Sequence, residues 1–255
     1  HRSQPTIVGL PYVMKSVAGT LMEKEVSCLS KVFSDSPKPV TFVLGGTKVD
    51  DSLSVARNVL ECGIADQVLV VGVVANVFLT AKGIKIGNPS ADLITRLGYC
   101  GEVAKAAEIL SKFGDKVILP DFVAIRNDEG IREEVSVEKI PRKCPVLDLG
   151  LDSLVPFTDI LRNSGTVVFN GPAGLFEEDI FSTGTFELLK AAADAKFSVV
   201  GGGHTAVVVE SLGINEKFSH ISTGGGACIE FLTGKKLPAI SALEKSWEMF
   251  GSKHT

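Results

Sequence analysis

Lys196–Gly213 reads KFSVVGGGHTAVVVESLG, and the reading of this stretch decides the fold. Phe197–Val200 is a short run of β-formers that enters three consecutive glycines, Gly201, Gly202 and Gly203. His204-Thr205 follow, then an apolar pattern at helical spacing that closes on Leu212-Gly213. Strand, glycine turn and helix start, in that order, present bare backbone N–H groups and a helix N-terminus to an anion. Glycine suits the turn because it reaches positive φ and has no side chain to hold a phosphate away. The bland alternative is a tight βα turn with no ligand, so one such loop does not decide a function.

The same order recurs along the chain. Val40–Leu44 is an apolar run without alternation, as in a parallel strand buried on both faces, and it enters Gly45-Gly46-Thr47-Lys48. A helix over Ser52–Leu60 comes next, with Asp50 or Asp51 as its expected cap. Gln67–Val71 reads as a strand, followed by Gly72 and a helix through Phe78–Lys82. Lys82–Ser90 reads as a loop, 101–113 as a helix and Val117–Leu119 as a strand. Phe122–Ile140 alternates loosely around Asn127-Asp128-Glu129-Gly130 and reads as a β-hairpin. A helix is expected around Pro156–Asn163. Thr166–Phe169 enters Asn170-Gly171-Pro172-Ala173-Gly174, and Ser219–Ser222 enters Thr223-Gly224-Gly225-Gly226. Amphipathic helices are expected over Val17–Phe33 and within Leu237–Phe250.

About six strand–glycine–helix units alternate in this way. They predict an α/β fold: a doubly wound, mostly parallel six-stranded sheet, Rossmann-like, with a small β-hairpin excursion. Ligands of such sheets sit outside the carboxyl ends of the strands, so the glycine loops would converge on one crevice.

Composition sets the outer bounds. The 255 residues are 45% apolar and 22% charged, enough for one large α/β domain or two small ones. A net charge of −4 gives no electrostatic case for nucleic acid or an anionic membrane. The five cysteines (Cys28, Cys62, Cys100, Cys144, Cys228) are odd in number, scattered and without a CxxC pair. That pattern argues against a zinc site or a disulfide framework and for a reducing compartment, hence a cytoplasmic protein. The apolar run from Val68 to Leu79 contains Gly72 and Asn76 and is too short to span a bilayer. The chain opens on HRSQPT, without an apolar leader, and on His rather than Met, as a processed or truncated chain would.

Several residues could carry chemistry. Lys48, directly after Gly45-Gly46, sets an ammonium beside two bare backbone positions, which suits phosphoryl transfer; the alternative is a solvated lysine in a turn. Asn170, Pro172 and Glu177 offer an amide, a rigid turn and a carboxylate that could accept from a ribose hydroxyl, although Asn-Gly-Pro is also an ordinary tight turn. Gly224–Gly226 has the form of an anion nest or of a close helix–sheet contact. His204 could ligate a metal, donate to phosphate or cap its helix. His220 reads as a satisfied core histidine. By themselves these features point to a protein that binds a phosphorylated, nucleotide-like ligand, and they leave the reaction open.

Four stretches go further: LGGTKVDDSL (44–53), VFNGPAGLFE (168–177), VVGGGHTAVVVESLG (199–213) and FSHISTGGGACIEFLTGKKLPAISALE (218–244). Together they resemble the C-terminal, nucleotide-binding half of phosphoglycerate kinase, in wording closest to archaeal members. The resemblance covers nearly the whole chain. It implies a two-domain hinge enzyme that moves phosphate reversibly between 1,3-bisphosphoglycerate and ADP, giving 3-phosphoglycerate and ATP with Mg2+. It further implies that residues 1–33 hold the end of the N-terminal domain and the interdomain helix, that 34–236 form the nucleotide domain, and that 237–255 pack back on the absent N-terminal domain.

By the same resemblance Gly45, Gly46 and Lys48 would face the nucleotide phosphates, with Lys48 stabilising the transferring group. Gly72 would lie near the adenine, and Asn170, Pro172 and Glu177 would hold phosphate and ribose. Gly202, Gly203 and Thr205 would supply helix-start donors, and Gly224 and Gly225 would meet the transferring phosphate on closure. His1 and Arg2 would reach the phosphoglycerate. No protein nucleophile is implied; positioning and charge would do the catalysis.

The chain also departs from the family pattern. His204 stands where an aspartate contacts the metal, Ser52 where a second lysine is usual, and Val71-Gly72-Val73 where three glycines precede the adenine region. Asp148-Leu-Gly-Leu-Asp-Ser153 replaces Asp-x-Gly-Pro-Lys-Thr. These changes keep open a second expectation, a non-catalytic nucleotide-binding module. A dinucleotide-dependent oxidoreductase is a third, but a clean GxGxxG with an acidic residue about 20 positions on is missing.

Overall fold

Val40–Leu44 forms β1, and all five of its residues are buried. Alternate residues feed two different cores: Val40, Phe42 and Leu44 join one cluster, and Val43 joins another on the opposite face. A strand with no solvent face shows no polar alternation, which is the pattern its sequence carries. The same division repeats in the neighbouring strands, with Val68 and Val70 on the first face and Leu69 on the second. Each fully buried Phe or Leu contributes roughly 1.5–3 kcal/mol.

In the computed structural model, residues 1–251 are described; residues 252–255 of the expected tail lie outside them. After β1 come β2 (Gln67–Val70), β3 (Val117–Ile118), β4 (Phe122–Arg126), β5 (Arg132–Ser136), β6 (Val146–Leu149), β7 (Thr166–Asn170), β8 (Phe197–Gly201) and β9 (His220–Ile221). The helices are α1 (Pro5–Val8), α2 (Thr20–Ser34), α3 (Val49–Glu61), α4 (Gly72–Ala81), α5 (Asn88–Arg96) and α6 (Cys100–Phe113). They continue with α7 (Leu151–Arg162), α8 (Thr183–Ala192), α9 (Gly203–Ser211), α10 (Gly226–Leu232) and α11 (Pro238–Phe250).

The main sheet has six strands in the order β3-β2-β1-β7-β8-β9. Every pairing within it is parallel, with Val43 between Leu69 and Phe169. Counted within this sheet alone the order is 3-2-1-4-5-6, which puts the change of winding direction between β1 and β7. Helices cover both faces, as the alternation predicts. The smaller sheet is antiparallel, in the order β5-β4-β6. The expected hairpin is therefore β4-β5, and β6 adds a third strand to it.

Three local expectations need correction. Lys48, not Asp50 or Asp51, occupies the N-cap position of α3; both aspartates lie in the first turn, where a carboxylate favours the helix dipole. Helix α5 begins inside the segment expected to be a loop, with Gly87 at φ +79° as N-cap and a proline in the first turn. Helix α7 starts at Leu151, ahead of Pro156, which sits inside it. Its first turn forms because the Leu151 N–H donates to Glu134 Oε2 (2.9 Å) and Ser153 and Leu154 donate to Gly150 O.

Candidate functional site

The loops after β1, β2 and β7 meet at the change of winding. Gly45 N donates to Asn170 O and Gly46 N to Pro172 O, each at 2.8 Å. A Cβ on Gly45 would stand 2.5 Å from Pro172 O, one on Gly72 2.7 Å from the same oxygen, and one on Gly171 2.3 Å from Gly45 O. At these positions glycine is demanded by backbone lying on backbone. Gly203 is different: its φ is not positive and nothing lies within 4 Å of where its Cβ would be. The fold has no need of glycine there, and a ligand approaching the backbone would.

Helices α3, α4 and α9 begin directly after β1, β2 and β8, and none has a side-chain cap at its N-terminus. The first N–H groups of each lack intrahelical partners and carry the positive end of the helix dipole. Three such ends at the carboxyl edge of one sheet form a concentrated donor set for an anion. Thr205 is fully buried; its Oγ1 accepts from Gly171 N (3.2 Å) and so ties α9 to the β7 loop. Asn170, at the end of β7, is buried with Oδ1 over Gly201 and Gly202, 3.1 and 3.4 Å from their would-be Cβ positions.

A cavity of 230 Å³ opens beside these loops. Gly46, Gly72, Pro172, Glu177 and His204 line it, and Val73, Leu93, Val123, Val146, Leu147 and Phe176 supply apolar wall. The antiparallel sheet thus builds one side of the cavity, and the main sheet's loops build the other. Glu177 is exposed at the rim, and Lys48, next to the lining residue Thr47, is exposed at the start of α3. The ring of His204 lies 6.1 Å from that of Phe176.

Two buried polar side chains also border the cavity. Asp148 Oδ2 accepts from Arg132 Nη1 (2.8 Å) and from Gly184 N (3.0 Å). Burial pushes the Asp148 carboxyl above its usual range, against the pull of Arg132 and Gly184 N–H. Arg132 donates as well to Leu149 O, Ile180 O and Glu134, so one guanidinium clamps the hairpin to the cavity wall. Asn76, from α4, is 3% exposed, and its Oδ1 accepts no hydrogen bond.

A second cluster forms at the carboxyl end of β9. Glu25, on α2, accepts from His220 Nε2 (2.9 Å), Ser222 Oγ (2.8 Å), Thr223 N (2.7 Å) and Thr223 Oγ1 (2.9 Å). Burial raises the Glu25 carboxyl, and these donors outweigh it and hold it below its ordinary value. Gly224 packs over Ser222 and Cys228, Gly225 has φ +52° with open space where a Cβ would stand, and Gly226 faces the His1 ring, whose Nε2 lies 3.2 Å from where a Cβ on Gly226 would be. His1 and the Gly224–Gly226 loop are thus brought together, and Arg2 is exposed beside His1.

Of the expected residues, Gly46, Gly72, Pro172, Glu177 and His204 line the cavity, Gly45, Asn170, Gly202 and Thr205 pack in the adjoining loops, and Gly224, Gly225 and His1 gather around β9. Gly203 and Lys48 open to solvent between the loops. No three His, Cys, Asp or Glu side chains converge among the described residues, so His204 has no partners for a protein-only metal cage. Ser52 is buried with its Oγ unpartnered, and that position offers no cation to the cleft. Sequence reasoning missed Glu25, the Arg132–Asp148 pair and Asn76. The last had a signal: one amide inside the apolar run Val73–Leu79 of α4.

Comparison with known proteins shows the family. The family model described as "Phosphoglycerate kinase" matches residues 1–235. Among curated relatives, phosphoglycerate kinase of Methanocorpusculum labreanum is 64% identical over 99% of this chain, and that of Methanococcus maripaludis is 49% identical over 97%. The crystal structure of phosphoglycerate kinase from Pyrococcus horikoshii superposes with a TM-score of 0.90 at 39% identity over 98% of this chain. The chain spans 62% of the length of the first of these relatives, 60% of the second and 62% of the solved chain. It belongs to the phosphoglycerate kinase family.

Proposed function

We propose that this chain is the nucleotide-binding half of a phosphoglycerate kinase and binds ADP or ATP with Mg2+ in the cleft between the β1, β2, β7 and β8 loops. One observation carries the reading: three uncapped helix starts and the packed β7 loop surround a cavity with an apolar wall and a carboxylate at its rim. An apolar cavity suits a base, Glu177 suits ribose hydroxyls, and the helix starts suit phosphates. Mg2+ would enter on the nucleotide phosphates, where it neutralises charge that develops in transfer. Lys48 and the α9 N–H groups would hold the phosphate oxygens, and Gly203 keeps the backbone there bare.

The whole protein would transfer phosphate between 1,3-bisphosphoglycerate and ADP, giving 3-phosphoglycerate and ATP in glycolysis in the cytoplasm. No side chain acts as nucleophile in this reading; the substrate and nucleotide oxygens exchange the group, and the protein positions them. The Gly224–Gly225 loop with His1 and Arg2 would meet the phosphoglycerate side. Residues 1–33 and 237–255 would belong to the junction with an N-terminal domain. Ser246 Oγ of α11 accepts from Ser16 N at 3.0 Å, and Val13, Val17, Leu21 and Trp247 leave 61–75% of their surface exposed in this region. Such an apolar face suits coverage by the domain that precedes it in longer relatives.

Calorimetric titration with MgADP, beside Lys48→Ala, tests the reading. Saturable binding weakened by the substitution supports it. Absence of binding with the helical signal intact rejects an autonomous nucleotide site and favours a degenerate one, for which Ser52 and His204 are the specific marks.

A further inference from the structure

The hairpin sets two arginines against each other. Arg126 closes β4, Arg132 opens β5, and the antiparallel register pairs them directly. Like charges opposed across a strand pair are destabilising unless acceptors gather both. Asp148 and Glu134 answer Arg132 from the small sheet itself. The other acceptors lie on one short segment just past the cavity rim. Arg126 forms an ion pair with Glu178, and Arg132 Nη1 donates to Ile180 O (2.8 Å). Both guanidinium groups also approach the ring of the fully buried Phe181, at 5.2 and 5.9 Å from its centroid.

That segment carries the rim. Leu175 N donates to Leu147 O (2.8 Å) and Glu178 N to Leu175 O (3.1 Å), so residues 175–178 form a β-turn with Phe176 and Glu177 at its centre. One end of the turn is fastened to β6, and the other end is Glu178, fastened to Arg126. Phe176 and Glu177, a wall and the rim carboxylate of the cavity, are strung between these two anchors. A turn tied at both ends has given up its backbone freedom before a ligand arrives, and a ligand that needs it binds without that ordering cost.

We propose that the Arg126–Glu178 pair is a clip that preorganises Glu177 for the ribose hydroxyls of the bound nucleotide, which makes Arg126 a positioning residue. The inference rests on the nucleotide reading of this cleft. Neither Arg126 nor Glu178 lines the cavity, so the pair acts through the backbone of the turn. Its side chains are 35% and 43% exposed, and an ion pair that open to water contributes little to global stability. Its effect is therefore expected in binding and not in the fold.

Titration of the intact chain with MgADP and with magnesium 2′,3′-dideoxy-ADP tests this. The two probes differ only in the ribose hydroxyls. ADP should bind about tenfold tighter, as expected of a hydroxyl that donates to a carboxylate. Arg126→Met, which keeps an unbranched stem beside Phe181, should bring that ratio near one by weakening ADP alone. It should lower the melting temperature by no more than about 4 °C. If Arg126→Met folds poorly, Glu178→Ala, which leaves the hairpin untouched, gives the same comparison. An ADP preference that survives removal of the pair overturns the inference. So does an equal weakening of both nucleotides with a larger fall in melting temperature, the result of a merely structural tie. Equal affinities in the unaltered chain also overturn it, while leaving the nucleotide reading in place. Failure of both nucleotides to bind a folded chain instead removes the nucleotide reading, and the clip with it.

Discussion

Glu25 and His220 lie 195 positions apart in sequence and 2.9 Å apart in space. The carboxylate of α2 takes four hydrogen bonds from the end of β9 and the residue after Ser222, immediately ahead of Gly224. The helix that follows the N-terminal segment is therefore fastened to the loop proposed to meet the transferring phosphate.

That fastening predicts a pH dependence. Burial raises the Glu25 carboxyl, but its donors bring it below the ordinary value of 4.5, so the folded state binds the proton less readily than the unfolded chain. Stability from this group is fully present above the unfolded value and is lost as pH falls through the lower, folded one. Glu25→Ala should cost about 1–3 kcal/mol at pH 7. Melting curves of the two proteins should converge below about pH 4, and a constant gap across the pH range would remove the assignment.

Two glycines should respond oppositely to alanine. Gly45→Ala forces a methyl group against Pro172 O and should destabilise by about 1–3 kcal/mol. Gly203→Ala meets open space at a helix start and should leave the melting temperature unchanged or slightly raised. It should nevertheless weaken MgADP by roughly tenfold, the equivalent of one charge-assisted contact. Undiminished ADP affinity in Gly203→Ala would show that no phosphate approaches that backbone.

Ser52→Ala should be neutral or stabilising. The Ser52 hydroxyl is fully buried on α3 with no partner, and alanine removes the orphan while improving helix propensity by a few tenths of a kcal/mol. A drop in denaturation midpoint would mean that the hydroxyl has a bound partner after all.

The cysteines should separate by reactivity. Burial pushes the Cys228 thiol up to about 11, and the side chain sits beneath Gly224. Cys62 and Cys100 are exposed. Native alkylation at pH 8 followed by mass spectrometry should label Cys62 and Cys100 and spare Cys228, and Cys228 should react only as the fold is lost. Equal labelling of all three would contradict the packing of α10 on β9.

The sequence by itself determined the sheet. Runs such as Val40–Leu44 and Phe197–Val200 carry no polar face because a parallel strand covered on both sides has none, and the glycines after them mark βα turns whose backbones touch. Those are local constraints, written in neighbouring residues. The start of α7 was not legible, because the helix depends on Glu134, 17 positions away, to receive its first N–H, and Pro156 masked it. Nor was the role of Arg132, which acquires its partner Asp148 only when the hairpin folds onto the wall of the cavity. Glu25 and Asn76 are ordinary letters in helical patterns until tertiary packing gives one four donors and deprives the other of any. Periodicity records which face of an element is buried; what that face meets across the chain depends on how distant segments pack, and only the tertiary structure decides it.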